Sequence, residues 1–139
     1  ELERIADCAV GIAESSMNQE EFITSAPPTF RVMANSVVGM ARDTNIALAN
    51  KDTELAVRVL SFDDTVSRFR KEIVLDVQQR TSTGDLDPLV AFDLLAVTRK
   101  LERIADHCTN VCEQVIYLQS GKIVRHSDEG WTEPESPEF

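Results

Sequence analysis

The stretch LERIADHCTNVCEQVIYLQS, residues 101–120, decides the fold of this chain. Its apolar residues extend a series that begins upstream and recurs at alternating spacings of three and four residues, which places the series on one face of an α-helix. The series is Leu94, Val97, Leu101, Ile104, Cys108, Val111, Val115 and Leu118. Asp87 with Pro88 is a suitable helix start and Gly121 a suitable end, so the pattern predicts a helix over about 88–120.

Two more helices are predicted before this one. The segment FRVMANSVVGMARDTNIALAN, residues 30–50, carries an apolar stripe that predicts a helix over about 29–50. A strict alternation of four and three residues then predicts one long helix over about 52–82, through Leu55, Val59, Phe62, Val66, Phe69 and Ile73. Short connections between consecutive helices favour antiparallel neighbours. The sequence therefore predicts an all-α fold, with an antiparallel three-helix bundle over residues 27–120.

An internal duplication extends this organisation toward the start of the chain. The hexapeptide LERIAD occurs at residues 2–7 and again at residues 101–106, an offset of 101 − 2 = 99 residues. A repeat of about one hundred residues corresponds to a three-helix unit. Residues 1–17 are therefore expected to form the end of the last helix of a preceding repeat, and we expect the chain to be a fragment of a longer protein. Residues 121–139 are acidic and without periodicity, which predicts a disordered tail.

Composition limits the classes of function. The formal net charge of −10 argues against non-specific binding to nucleic acids, because that binding depends on basic side chains that displace counterions from phosphates. The cysteine count of three is odd and shows no disulfide-framework spacing, which favours a reducing compartment. No apolar run approaches the ~20 residues needed to cross a bilayer, and no signal-peptide pattern opens the chain. We therefore expect a cytoplasmic protein.

Pairs of acids spaced by one helical turn are the candidate functional residues. On the last helix Glu102 and Asp106 lie opposite the apolar seam, and the duplication places Glu3 and Asp7 in the same relation on the first helix. Two carboxylates four residues apart repel each other on an exposed helix, yet their oxygens suit a divalent cation. The spacing therefore allows either a metal site or a solvated acidic face that neighbouring arginines neutralise.

One helix supplies too few ligands for a tight metal site, so a neighbouring helix has to contribute. Asp63 and Asp64 on the middle helix are the best candidates, and Asn110 and Glu113 are secondary candidates on the last helix.

The cysteines fit a packing role better than a zinc site. Cys108 and Cys112 lie one turn apart, a spacing that could serve a metal. In the duplication, however, they match Ala9 and Ala13, which are small apolar residues. We expect both to pack in the core as small hydrophobic side chains. With no Gly-rich phosphate loop and no partnered nucleophile in the sequence, we expect no catalytic residues and no enzyme.

These residues closely resemble the PhoU family of phosphate-signalling proteins. The resemblance rests on ELERIADCAVGIAE, on DDTVSRFRKEI and on LERIADHCTNVCEQVIYLQSGKIVRH, and covers residues 1–126. It implies two three-helix repeats, each with an E(D)xxxD motif that in some members binds iron, zinc, manganese or magnesium. The motif positions are Glu102 with Asp106, followed by Asn110, and Glu3 with Asp7. Two positions depart from the pattern: Asp63 matches the first acid of the middle helix but Ser67 replaces the second, and Gly11 replaces an Asn.

The resemblance also implies a function. It predicts a non-enzymatic cytoplasmic regulator that restrains phosphate uptake and phosphate-starvation signalling. Its partners would be the ATP-binding subunit of a phosphate importer and a phosphate-sensing histidine kinase, through which alone it would approach the membrane. The alternatives are a helical protein that binds metal for storage or sensing, and the PhoU-like part of a larger transporter. The sequence leaves open which metal binds and whether the chain forms a homodimer.

Overall fold

The structure, a computed structural model, describes residues 1–16, 20–127 and 130–132. The fold is all-α, as predicted: α3, the consecutive helices α4 and α5, and α6 form an antiparallel three-helix bundle, and α1 packs against α6 as an additional helix. The helices are α1 (Leu2–Ser16), α2 (Glu20–Ser25), α3 (Pro28–Asn50), α4 (Thr53–Ser61), α5 (Asp63–Ser82) and α6 (Pro88–Ser120).

Helix α6 lies at the centre of the molecule, where it contacts α1, α3, α4 and α5. The Asp87 carboxylate caps its start by accepting a hydrogen bond of 2.8 Å from the backbone N–H of Leu89. Gly121 ends the helix with a φ of 69°, a left-handed conformation that glycine adopts without strain. The predicted apolar seam is buried along most of its length. It is wrong at its last member, since Leu118 is 75% exposed.

The predicted middle helix is interrupted at Phe62. Helix α4 begins after Asp52, whose carboxylate accepts a hydrogen bond from the N–H of Leu55. At Phe62 the N–H donates to the Val59 carbonyl, three residues back, which is a tighter turn than the α-helix. Because of this turn the Phe62 side chain leaves the predicted seam and is 49% exposed. The prediction of one uninterrupted helix is therefore wrong at this residue.

Two small elements lie outside the predicted helices. Helix α2 falls in the connection between α1 and α3, where the Phe22 ring packs edge-on against Phe30 with 5.7 Å between ring centroids. After α6, strands β1 (Arg125–Ser127) and β2 (Gly130–Thr132) pair antiparallel as a short hairpin. Strands of three residues are too short to show an alternating pattern in the sequence. Of the predicted tail, residues 128–129 and 133–139 lie outside the described part of the chain, as does residue 17 of the first predicted segment.

Hydrogen bonds from one lysine of α6 and apolar contacts hold α1 against α6. The Lys100 Nζ donates hydrogen bonds of 2.7 Å to the Gly11 carbonyl and 3.0 Å to the Ser15 hydroxyl. A Cβ atom at Gly11 would lie 3.0 Å from that Nζ, so glycine gives the lysine room to lie across the helix. Next to this contact, the apolar side chains Ile5 and Ile12 pack against the core. Together these contacts fix α1 along α6.

Candidate functional site

The seam between α5 and α6 holds the first group of candidate residues. Leu101 and Ile104 of α6 are buried, and Glu102 between them lies at the edge of the helix that faces α5. There the Arg70 Nε lies 2.9 Å from the Glu102 carboxylate. The Glu102 side chain retains only 23% of its exposure and that of Arg70 36%, so this ion pair is partly shielded from water. Glu102 therefore bonds within the protein and does not stand in open solvent.

Two acids approach each other at the other end of the same seam. Partial burial raises the pKa of Glu113 on α6, and the nearby negative charge of Asp63 on α5 raises it further, whereas Arg125 lowers it. Asp63 is half-buried and Asp64, next to it, is exposed. Asp63 and Glu113 thus lie close enough across the two helices for their charges to interact.

Asp106 lies between these two places along α6. It is exposed, but neighbouring protein atoms displace part of the water around its carboxyl group and raise its pKa. His107 when it is protonated, Arg99 and Arg103, all on α6, lower the pKa and so oppose this effect. No ion pair within 4 Å joins Asp106 to a basic group in the described part of the chain.

The acids of the first helix face a different surface. Glu3 and Asp7 are exposed and line an open cleft of about 490 Å³ between α1 and α6. The same cleft is lined by basic side chains, among them Arg4, Lys100 and Arg103. The two predicted motifs therefore do not form one site, since Glu102 bonds across to α5 whereas Glu3 and Asp7 line the cleft between α1 and α6.

The secondary candidate Asn110 also bonds within the protein. Its side-chain amide donates a hydrogen bond of 3.4 Å to the Glu1 carboxylate. The same carboxylate oxygen contacts the Nδ1 of His107, and this hydrogen bond is the main reason why the pKa of Glu1 is lowered. His107 and Asn110 thus tie the start of the chain to α6.

The family comparison adds to this geometry. The family model described as PhoU domain matches residues 30–115. This chain belongs to the PhoU family. Three of its relatives are phosphate-specific transport system accessory proteins. It is 32% identical to PhoU homolog 1 of Thermotoga maritima over 127 residues, which are 90% of this chain and 55% of the relative. It is 33% identical to the PhoU homolog of Clostridium acetobutylicum over 130 residues, 92% of this chain and 59% of the relative.

The third relative is PhoU of Escherichia coli K12, which is 29% identical over 129 residues, 91% of this chain and 53% of the relative. The chain spans somewhat more than half the length of these curated relatives. No solved structure matches it. None of the helices in the described ranges is long and apolar enough to cross a membrane.

The metal that the PhoU resemblance implies does not fit the residues around Glu102. A divalent cation needs several oxygen ligands from more than one side. Residues 1–16, 20–127 and 130–132 contain no group of three or more Asp, Glu, His or Cys side chains arranged to hold a metal ion. At Glu102 the neighbour across the seam is the Arg70 guanidinium, a positive group. Asp106, Glu3, Asp7, Asp63 and Asp64 stay predicted ligands, which the described residues do not bring together as one site.

Arg70 is not one of the acidic motif positions, although it lies within the stretch DDTVSRFRKEI that carries the resemblance. It follows Asp63 by seven residues and Ser67 by three, so all three lie on one face of α5. That spacing can be recognised from the sequence. The pairing of Arg70 with Glu102 cannot be predicted from the sequence, because it depends on how α5 and α6 are aligned.

The cysteines of α6 occupy core positions. Cys108 and Cys112 are both 0% exposed, and the Cys112 sulfur lies 3.7 Å from the hydroxyl of Thr44. Burial raises the pKa of Cys112 to about 11 and also raises that of Cys108. A thiol that stays protonated is a poor metal ligand and nucleophile. Both residues therefore suit the packing role that the duplication predicts.

Proposed function

We propose that this chain is a non-enzymatic, cytoplasmic regulator of phosphate transport and phosphate-starvation signalling that acts by contact with other proteins. The observation that carries the proposal is the match of residues 30–115 to the PhoU domain. It is supported by relatives over about 90% of the chain whose names describe accessory proteins of phosphate-specific transport systems.

The proposed partners are the ATP-binding subunit of a phosphate importer and a phosphate-sensing histidine kinase. Two features of the surface support docking to proteins. The net charge of −10 favours basic partner surfaces. At the start of α6, Leu89 is 77% and Phe92 72% exposed, and apolar or aromatic side chains of this kind serve as anchors in protein interfaces.

A binding experiment tests this proposal. The purified chain is immobilised, and binding of the isolated ATP-binding subunit and of the cytoplasmic part of the kinase is measured by biolayer interferometry. We expect saturable binding of at least one of them, weakened roughly three- to tenfold by Asp106→Asn, which removes an exposed charge from α6. Glu72→Gln removes an exposed charge from α5 and is the matched control. Absence of binding by the unmodified chain to either protein would refute the proposed role.

Metal binding for storage or sensing remains a prediction without a grouped ligand set in the described residues. The alternative that this chain is the PhoU-like part of a larger transporter is tested by determining the full open reading frame around this sequence.

A further inference from the structure

The polar and charged side chains follow one another in a fixed order along the α5–α6 seam, and this order decides which ions the seam can bind. Asp63, Ser67 and Arg70 lie on one face of α5 at spacings of four and three residues. Because the helices are antiparallel, Asp63 approaches Glu113 at one end, whereas Arg70 meets Glu102 at the other. Along α5, Ser67 lies between these two levels.

Arg70 places a positive charge beside the Glu102 carboxylate, where a metal ion bound to that carboxylate would lie. Its Nε lies 2.9 Å from the Glu102 carboxylate, and both side chains are partly shielded from water. A divalent cation on the same carboxylate would lie within a few ångströms of the guanidinium, and like charges at that separation repel strongly where water is partly excluded. The bond to Arg70 also occupies acceptor capacity of the Glu102 carboxylate that a metal ion would need.

Ser67 strengthens this preference. An acid at this position would add a charged oxygen ligand next to the level of Arg70, whereas serine adds one neutral hydroxyl. The seam therefore offers Glu102 a guanidinium close by and, at Ser67 of α5, a neutral hydroxyl where a second acid would add an anionic oxygen. A guanidinium bonded to a carboxylate is a stable arrangement that needs no additional ligands.

We propose that Arg70 acts as a tethered cation that takes the place of a metal ion on Glu102, so that this seam is held together without metal. It follows that a divalent cation binds Glu102 only after Arg70 is removed. This inference does not depend on the proposed function, because it concerns the metal content of the chain and not its partners.

Manganese binding tests the inference. The full chain is titrated with Mn²⁺, and the free ion is followed by electron paramagnetic resonance. The unmodified chain is expected to show no saturable site tighter than about 1 mM. Arg70→Asp removes the guanidinium and adds a carboxylate opposite Glu102, so we expect Mn²⁺ to bind about tenfold or more tightly than to the control.

The control is Arg68→Asp, which makes the same charge change on the same helix. Arg68 is exposed, and its guanidinium donates one long hydrogen bond of 3.5 Å to Thr65. Both variants therefore attract cations equally through net charge, and only Arg70→Asp alters the seam. Adding Glu102→Gln to Arg70→Asp is expected to abolish the new site.

Two results would overturn the inference. One is a tight Mn²⁺ site in the unmodified chain that Glu102→Gln removes, a measurement that needs no Arg70 variant to fold. The other is equal Mn²⁺ affinity of Arg70→Asp and Arg68→Asp, with circular dichroism showing both to be folded. If Arg70→Asp does not fold, Arg70→Ala replaces it, and failure of that variant to bind Mn²⁺ more tightly than Arg68→Ala counts against the inference.

Discussion

Gly11 and Gly39 both lie inside helices, but only Gly11 faces a neighbouring side chain. A Cβ atom at Gly39 would meet nothing within 4 Å, whereas one at Gly11 would lie 3.0 Å from the Lys100 Nζ. Replacing glycine by alanine in a helix interior stabilises by about 1 kcal/mol. We expect Gly39→Ala to gain about that amount and Gly11→Ala clearly less, because Lys100 has to move from its bonds to the Gly11 carbonyl and to Ser15.

Urea unfolding followed by circular dichroism measures both free energies. Lys100→Ala removes the obstacle, so Gly11→Ala is expected to recover most of the full gain in that background. An equal gain from the two alanine substitutions in the unmodified chain would show that Lys100 does not restrict Gly11.

The three cysteines differ in burial, and their reactivity should differ with it. Cys8 is half-buried, whereas Cys108 and Cys112 are fully buried with raised pKa values. At pH 8 we expect a thiol reagent such as DTNB to modify one cysteine rapidly in the folded chain and all three in urea. Cys8→Ala should remove the rapid phase. Rapid modification of two or three thiols in the folded chain would contradict the burial of the α6 pair.

The same burial predicts the direction of a pH effect on stability. The pKa of Cys112 rises from an ordinary 9.0 to about 11 on folding, so the folded chain keeps this proton at pH values where the unfolded chain has lost it. The contribution of Cys112 to the free energy of unfolding is therefore present below about pH 9 and declines as pH rises toward about 11.

At the scale of the elements, α4 and α5 show what periodicity predicts and what it misses. Phe62 and Phe69 occupy equivalent places in the predicted seam, yet Phe62 is 49% exposed at the turn between the helices and Phe69 packs against the core. We expect Phe62→Ala to lower the free energy of unfolding by less than about 1 kcal/mol and Phe69→Ala by about 2–4 kcal/mol. Urea denaturation of both variants measures the difference. Equal losses would mean that one continuous seam is present in solution.

The sequence predicts the helices well because apolar spacing records which face of each helix is buried. The series through Leu94 and Cys108 on α6 is buried as expected. It does not predict the turn at Phe62, because a local change from a four-residue to a three-residue hydrogen bond leaves almost no trace in the apolar spacing. Nor does it predict that Leu118, the last member of the apolar series, is 75% exposed.

The candidate site is harder to predict than the fold for a related reason. Periodicity places Glu102 away from the seam of its own helix, but says nothing about the helix next to it. The bond between Arg70 and Glu102 depends on the alignment of α5 with α6, which tertiary packing sets. The duplication has the same limit: Glu3 and Glu102 match in sequence but meet different neighbours, a basic cleft in one case and a single arginine in the other.

For the whole molecule, the charge balance predicts how salt affects stability. A formal net charge of −10 on 139 residues destabilises the compact state through mutual repulsion. Against this, ion pairs in the described part of the chain, among them Arg70 with Glu102 and Arg80 with Asp76, hold opposite charges together. Salt weakens both effects, but exposed ion pairs contribute little and repulsion among many acids accumulates. We therefore expect salt to raise the stability, because screening of the repulsion outweighs the weakening of the ion pairs.

Differential scanning fluorimetry at pH 7 measures the result. Raising NaCl from about 20 to about 300 mM is expected to raise the Tm by roughly 2–5 °C. KCl should act equally, since screening depends on ionic strength and not on the identity of the cation. At a pH where the net charge approaches zero, the salt effect should largely disappear, because little repulsion remains to be screened. A Tm that falls with NaCl at pH 7 would instead mean that the ion pairs outweigh the repulsion, and that the pair between Arg70 and Glu102 stabilises the bundle more than an exposed pair does.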